Sequence, residues 1–102
     1  MFAIAFDMVV FDLKVYFGEP YTNAYYEISK VLRKYEFYNV QGSVYLSQNN
    51  DMANLFRAID ALKKIEWFKN SVRDMRAFRV EDWSDFTSFI KEKWWSASCL
   101  WE

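Results

Sequence analysis

Three features of the sequence predict an α+β fold. The first ten residues, Met1 to Val10, are apolar except for one carboxylate, Asp7, and contain no Gly or Pro, which reads as a buried strand. Apolar residues recur at helical spacing in two later stretches, near 21–35 and 51–64. Short β-prone runs lie between and after them, at 37–47 and 72–80.

Each element has its own justification. In the first strand an ionised Asp7 is costly unless it is paired or sits at an opening. It marks the strand end and caps a turn, or the fold accepts it because it does chemistry. Phe11 to Glu19 holds Asp12 and Gly18 and reads as a loop or a fraying strand end. Pro20 fits a first helical position, where its missing N–H is harmless. Ala24, Ile28, Val31, Leu32 and Tyr35 then form one face of a helix over about Tyr21 to Tyr35, with Glu27, Lys30, Arg33 and Lys34 mainly opposite.

Phe37 to Val40 and Ser43 to Ser47 flank Gln41-Gly42-Ser43, predicting either a tight hairpin or one strand with a sharp bulge. Asn50 can cap the next helix, and Asp51 suits its positive N-terminus. Met52, Leu55, Ile59 and Leu62 form its buried stripe, which ends near Lys64, and Trp67-Phe68 cover the core edge. Val72 to Val80 alternates as a central strand, with Arg73, Met75, Ala77 and Arg79 on one side and Val72, Asp74, Arg76, Phe78 and Val80 on the other. Its arginines read as solvated strand ends plus an ion pair with Asp74, or as a phosphate-facing cluster. Asp82 caps the last helix, with Asp85 in a capping-box-like position and an apolar face of Trp83, Phe86, Ile90 and Trp94. Trp95 to Glu102 reads as a docked arm rather than a partner-binding tail. The whole order is that of a ferredoxin-like βαββαβ sandwich with an additional C-terminal helix.

Composition narrows the function. The chain has 102 residues, enough for one domain with a single core. It is 53% hydrophobic and 22% aromatic, more than a monomer of this size comfortably hides, so a self-complementary dimer is expected. A net charge of −1 gives no global basic field for nucleic acid. The sequence has no histidine, which removes His-based acid–base pairs, His triads and most zinc sites. One cysteine, Cys99, excludes an internal disulfide and fits a reducing, cytoplasmic setting. The start lacks a basic region and Asp7 interrupts it, so no signal peptide is expected, and no apolar run reaches membrane-span length. Gly-rich phosphate loops, CxxC, HExxH and EF-hand spacings are absent. Asp7, the Gln41-Gly42-Ser43 turn and the arginines remain. Two copies of Asp7 meeting at a two-fold axis can share a proton or hold a divalent metal, while one chain offers too few ligands for a metal cage.

Several blocks carry a resemblance. Met1 to Asp7, Val40-Gln41-Gly42-Ser43-Val44-Tyr45, Asn50 to Phe56, Ser71 to Arg79 and Trp83-Ser84-Asp85-Phe86-Thr87 resemble the virulence-associated protein D (VapD) family, in family order. That family is similar in turn to the small CRISPR-associated Cas endoribonuclease-like subunits. The resemblance covers residues 1–93 as one ferredoxin-like domain and leaves 94–102 as a Trp-rich C-terminal extension. Phe11 to Tyr21 departs from the family and can shape substrate entry. The resemblance implies a homodimer with endoribonuclease activity, acting as the toxin of a bacterial toxin–antitoxin pair with a small protein antitoxin.

On this reading Asp7 is the catalytic carboxylate, acting as general base or holding a divalent metal such as magnesium. Arg76, and with it Arg73, offsets the charge that develops on phosphate. Ser43 bonds a phosphate oxygen, Gln41 positions the substrate, and Tyr45 is either core or a stacking surface for an RNA base. The alternative is a non-catalytic dimeric module that binds RNA or protein, with a small-molecule regulatory domain a distant third.

Overall fold

A computed structural model describes residues 1–92 of the chain. The elements are β1 (Phe2–Met8), α1 (Val10–Tyr16), α2 (Asn23–Arg33), β2 (Tyr38–Gln41), β3 (Val44–Ser47), α3 (Met52–Lys63), α4 (Glu66–Ser71), β4 (Val72–Arg79) and α5 (Thr87–Lys91). The strands form one antiparallel sheet in the order β2-β3-β1-β4. This is the α+β, ferredoxin-like architecture the sequence predicts.

β1 alternates as a central strand must. Phe2, Ile4, Phe6 and Met8 enter the core, where they meet Ala24, Ile28 and Leu32 of α2 and Leu55, Ala58 and Leu62 of α3. Ala3, Ala5 and Asp7 point to the opposite face. That face also carries Leu46 and Phe78, which pair with Ala3 from either side. Trp83, from the segment after β4, lines a hollow there with Met1, Tyr38, Val40 and Leu46. The 37–47 region is a hairpin and also contains a bulge, because the β2–β3 register shifts between Asn39 and Gln41. Gly42 takes the left-handed conformation (φ +47°) that the turn requires.

Several local expectations are corrected. Phe11 to Glu19 is largely helix α1. Its single buried anchor, Leu13, faces inward while Phe11 is 74% exposed, so no apolar stripe announced it. Phe17 meets Trp67 edge to face, with ring centroids 4.8 Å apart. Trp67 and Phe68 lie on a further helix, α4, and Phe68 packs edge-on against Phe6. Pro20 lies in the turn before α2, which starts at Asn23. Met52 is exposed, so Ala58 takes its place in the buried stripe of α3. β4 is an edge strand, where its charges oppose sheet-to-sheet pairing.

The caps differ from expectation as well. Asp51, rather than Asn50, caps α3: its carboxylate accepts from the Ala53 N–H at 3.0 Å, while the Asn49 side chain accepts from the Asp51 N–H. Asp51→Ala is therefore expected to cost about 1 kcal/mol in chemical denaturation. α5 starts after Asp85, not Asp82. Asp85 accepts from the Thr87 N–H at 2.8 Å, and its hydrogen bonds to Thr87 hold its carboxyl below the ordinary value. A depressed carboxyl supports the helix start above its unfolded pKa and loses that support as pH falls through the folded one.

Ser71 is fully buried at the α4–β4 junction, and its hydroxyl has no hydrogen-bond partner among the described residues. Ser71→Ala is expected to raise stability by about 1 kcal/mol, read from the urea midpoint, since it removes an unsatisfied buried group. None of the described helices is long and apolar enough to cross a membrane. The Trp94 end of the predicted last helix, Cys99 and the Trp95 to Glu102 arm lie outside the described residues.

Candidate active site

The end of β1 is flanked on both sides by the residues singled out in the sequence. On one side is the β2–β3 turn. The Phe6 N–H donates to the Ser43 carbonyl at 3.2 Å, which sets Ser43 beside the residue preceding Asp7. On the other side β4 runs antiparallel, with Asp74 directly opposite Asp7 and Arg76 opposite Ala5. Asp7, Asp74 and Arg76 therefore project from one sheet face.

A β-bulge adds Arg73 to this group. The β1–β4 register passes from Asp7↔Asp74 to Met8↔Val72, leaving Arg73 as the extra residue. A bulge re-aims the side chain it carries. Arg73 Nη1 lies 3.3 Å from Asp7 Oδ2, and Arg76 Nε donates to Asp74 Oδ1 at 3.1 Å. The bulge also turns Val72 to the core side with Met75, so the strict alternation predicted for Val72 to Val80 breaks at its start. The expected ion pair with Asp74 is present, and it is made by Arg76.

Asp7 pays no heavy desolvation penalty, because its side chain is 60% exposed. It caps no helix: the residue before α1 is Val9, and no side chain caps there. Gln41 is exposed and lines a separate hollow with Val40 and the Trp83 to Lys91 segment, away from the charged group. Tyr45 is 3% exposed and stacked on Phe6 at 5.8 Å, so its ring belongs to the core and offers no face to a base. Burial raises its phenol pKa, partly offset by Ser29, Asn39 and Arg33.

Sequence reasoning treated Asp74 only as an ion-pair partner and did not single out Tyr25. Its register opposite Asp7 puts Asp74 in the site, a fact that only strand pairing supplies. Tyr25 looked like any half-buried aromatic of α2. Burial raises its pKa most, followed by the neighbouring Tyr21 phenol, which adds charge only where it ionises, and the Asp7 carboxylate. Among the described residues no group of three or more Asp, Glu, His or Cys side chains is placed to enclose a metal ion.

Fold and site together define a class: a ferredoxin-like domain with a charged carboxylate–arginine site at the end of its first strand. The family model described as CRISPR associated protein Cas2 matches residues 2–88. "Endoribonuclease VapD 1" of Riemerella anatipestifer is 60% identical over 86 residues, covering 84% of this chain and 97% of the relative. "Endoribonuclease VapD" of Dichelobacter nodosus is 58% identical, covering 89% and 98%, and that of Haemophilus influenzae is 53% identical, covering 89% and 99%. The chain belongs to the VapD family, a relative of Cas2.

Proposed function

We propose that this protein is an endoribonuclease toxin of a bacterial toxin–antitoxin pair, cutting RNA phosphodiester bonds with Asp7 as the catalytic carboxylate. The observation that carries the reading is the setting of Asp7: Arg73 paired to it and Asp74 and Arg76 beside it on β4, with the Ser43 turn bonded to the preceding residue, Phe6. RNA brings its own nucleophile. Asp7 takes the proton of the 2′-OH as that oxygen attacks phosphorus, the bond to the 5′ oxygen breaks, and the proton passes to the leaving oxygen. Arg76 and Arg73 offset the charge on the phosphorane. Ser43 bonds a phosphate oxygen, and Gln41 meets RNA further along its path. Magnesium, where it takes part, would have Asp7 as its ligand from this chain, and no step above depends on it. The test is cleavage of RNA by the wild type and Asp7→Asn, each with magnesium and with a chelator.

The reading includes a homodimer, a small protein antitoxin and a cytoplasmic setting. The dimer is supported by the sheet face the helices leave uncovered, where Tyr38 (55% exposed), Phe78 (45%) and Trp83 (40%) stand in water. Phe78→Lys is expected to shift the protein to the monomer in sedimentation velocity, and an unchanged dimer would place the contact elsewhere.

One observation favours the non-catalytic binding module instead: both site arginines are already matched to carboxylates. The cleavage test above separates a nuclease from a non-catalytic RNA binder, and salt dependence separates RNA binding from protein docking. An RNA site with several phosphate contacts loses affinity steeply between about 50 and 200 mM salt. A protein-docking module shows no such RNA binding.

A further inference from the structure

We propose that Phe11 is the stacking surface for an RNA base, holding a nucleotide next to the scissile phosphate while Asp7 and the arginines act on the phosphate itself. The inference rests on the reading of Asp7 given above and extends it to how the substrate is held.

The charged group at the end of β1 has no aromatic plane of its own. Tyr45, the ring expected to meet a base, is buried against Phe6, and Arg73 and Arg76 are engaged with carboxylates. Single-stranded RNA is held largely by stacking its bases on aromatic rings, with charged groups on its backbone.

α1 supplies the missing plane. It opens at Val10, just past the end of β1, and the short chain from Asp7 keeps Phe11 within about 14 Å of it. The junction is pinned, because the Val9 N–H donates to the Ser71 carbonyl at 2.8 Å. Phe11 follows Val9 by two residues, and Arg73 follows Ser71 by two. The ring and the guanidinium paired with Asp7 therefore leave from one point of the fold.

The helix period sets the direction of the ring. Leu13 enters the core and Phe17 meets Trp67, so Phe11 and Val15, one turn apart, stand on the outer side. Phe11 is the most exposed aromatic side chain among the described residues. Its aromatic neighbours offer less: the Lys14 ammonium lies over the Tyr21 ring, and Tyr25 packs against the core cluster. The outer side of a seven-residue helix falls far short of the roughly 800 Å² per partner that a stable protein contact needs, whereas one base needs one ring.

The test is steady-state cleavage of an end-labelled single-stranded RNA oligonucleotide with one mapped cut, by the full chain. Two further copies of that oligonucleotide each carry an abasic ribose, one on the 5′ side of the cut and one on the 3′ side. Phe11→Ala is expected to raise KM about tenfold and to leave kcat within about twofold, since stacking holds ground state and transition state alike. Its urea midpoint should match the wild type, as the site is exposed. Phe11→Trp keeps a ring and is expected to stay within about twofold of the wild-type KM. With the wild type, one of the two abasic substrates is expected to show the same rise in KM; with Phe11→Ala that substrate is expected to lose nothing more.

Wild-type KM in Phe11→Ala would overturn the proposal. So would a rise in KM that multiplies with the loss from either abasic substrate, since ring and base would then act independently. A smaller species for Phe11→Ala in sedimentation velocity would overturn it too, making Phe11 a contact between copies of the chain. Asp7→Asn, run alongside, separates the two readings. If it is inactive while Phe11→Ala matches the wild type, only the role of Phe11 falls. If Asp7→Asn cuts as well as the wild type, the reading of Asp7 falls, and the abasic pair alone decides for or against Phe11.

Discussion

Asp7→Asn is expected to lower RNA cleavage by about 100-fold or more while the protein keeps its fold. The magnitude is that of losing a positioned general base, typically about 10²–10⁴-fold. An asparagine amide fills the same space but cannot take a proton from a 2′-OH. The fold should survive because the pair that Asp7 makes with Arg73 is more than half exposed on both sides and contributes no more than about 1 kcal/mol. The substitution also removes one member of the like-charged Asp7/Asp74 pair. Circular dichroism and the urea midpoint should therefore match the wild type while the cleavage rate collapses. Equal cleavage by the two proteins would remove Asp7 from the mechanism and favour the binding module. Activity in the wild type that a chelator abolishes would bring a metal into the same site.

Phe37→Ala is expected to destabilise the protein by about 3–5 kcal/mol, measured by chemical denaturation. Phe37 is 1% exposed and belongs to the main core cluster. It sits where α2 hands the chain to β2. Its N–H donates to the Leu32 carbonyl, and the preceding Glu36 takes a left-handed conformation (φ 65°). The ring is the large buried side chain at that corner. A loss of this size is a large share of the roughly 5–15 kcal/mol that holds a domain together. Phe56→Ala is the control: 63% exposed on α3, it should change stability by less than about 0.5 kcal/mol. Equal losses at both positions would mean that Phe56 is covered in solution.

How much of this was legible beforehand depended on whether a residue's neighbours in sequence were also its neighbours in space. Ala24, Ile28 and Leu32 announced α2, because a helix buries residues three and four apart and the stripe is written along the chain. α1 and α4 were missed because they are short and anchored largely by single buried residues, Leu13 and Phe68, which make no period. Sequence points to Asn50 as the cap although Asp51 takes the role, because both residue types are good caps and one residue of backbone geometry chooses between them.

The sequence by itself determined the fold class, the apolar first strand with Asp7 near its end, a break in the β-prone run at Gly42 and the absence of histidine chemistry. These follow from local pattern and composition. Only the tertiary structure decided what stands around Asp7. Strand pairing set Asp74 across from it, the bulge turned Arg73 to it, the Phe6–Ser43 hydrogen bond brought up the turn, and Tyr45 went into the core. The physical reason is that register is a relation between segments far apart in sequence, Phe6 and Ser43 on one side and Asp7 and Asp74 on the other, and shifting a strand by one residue would send its side chains to the other face.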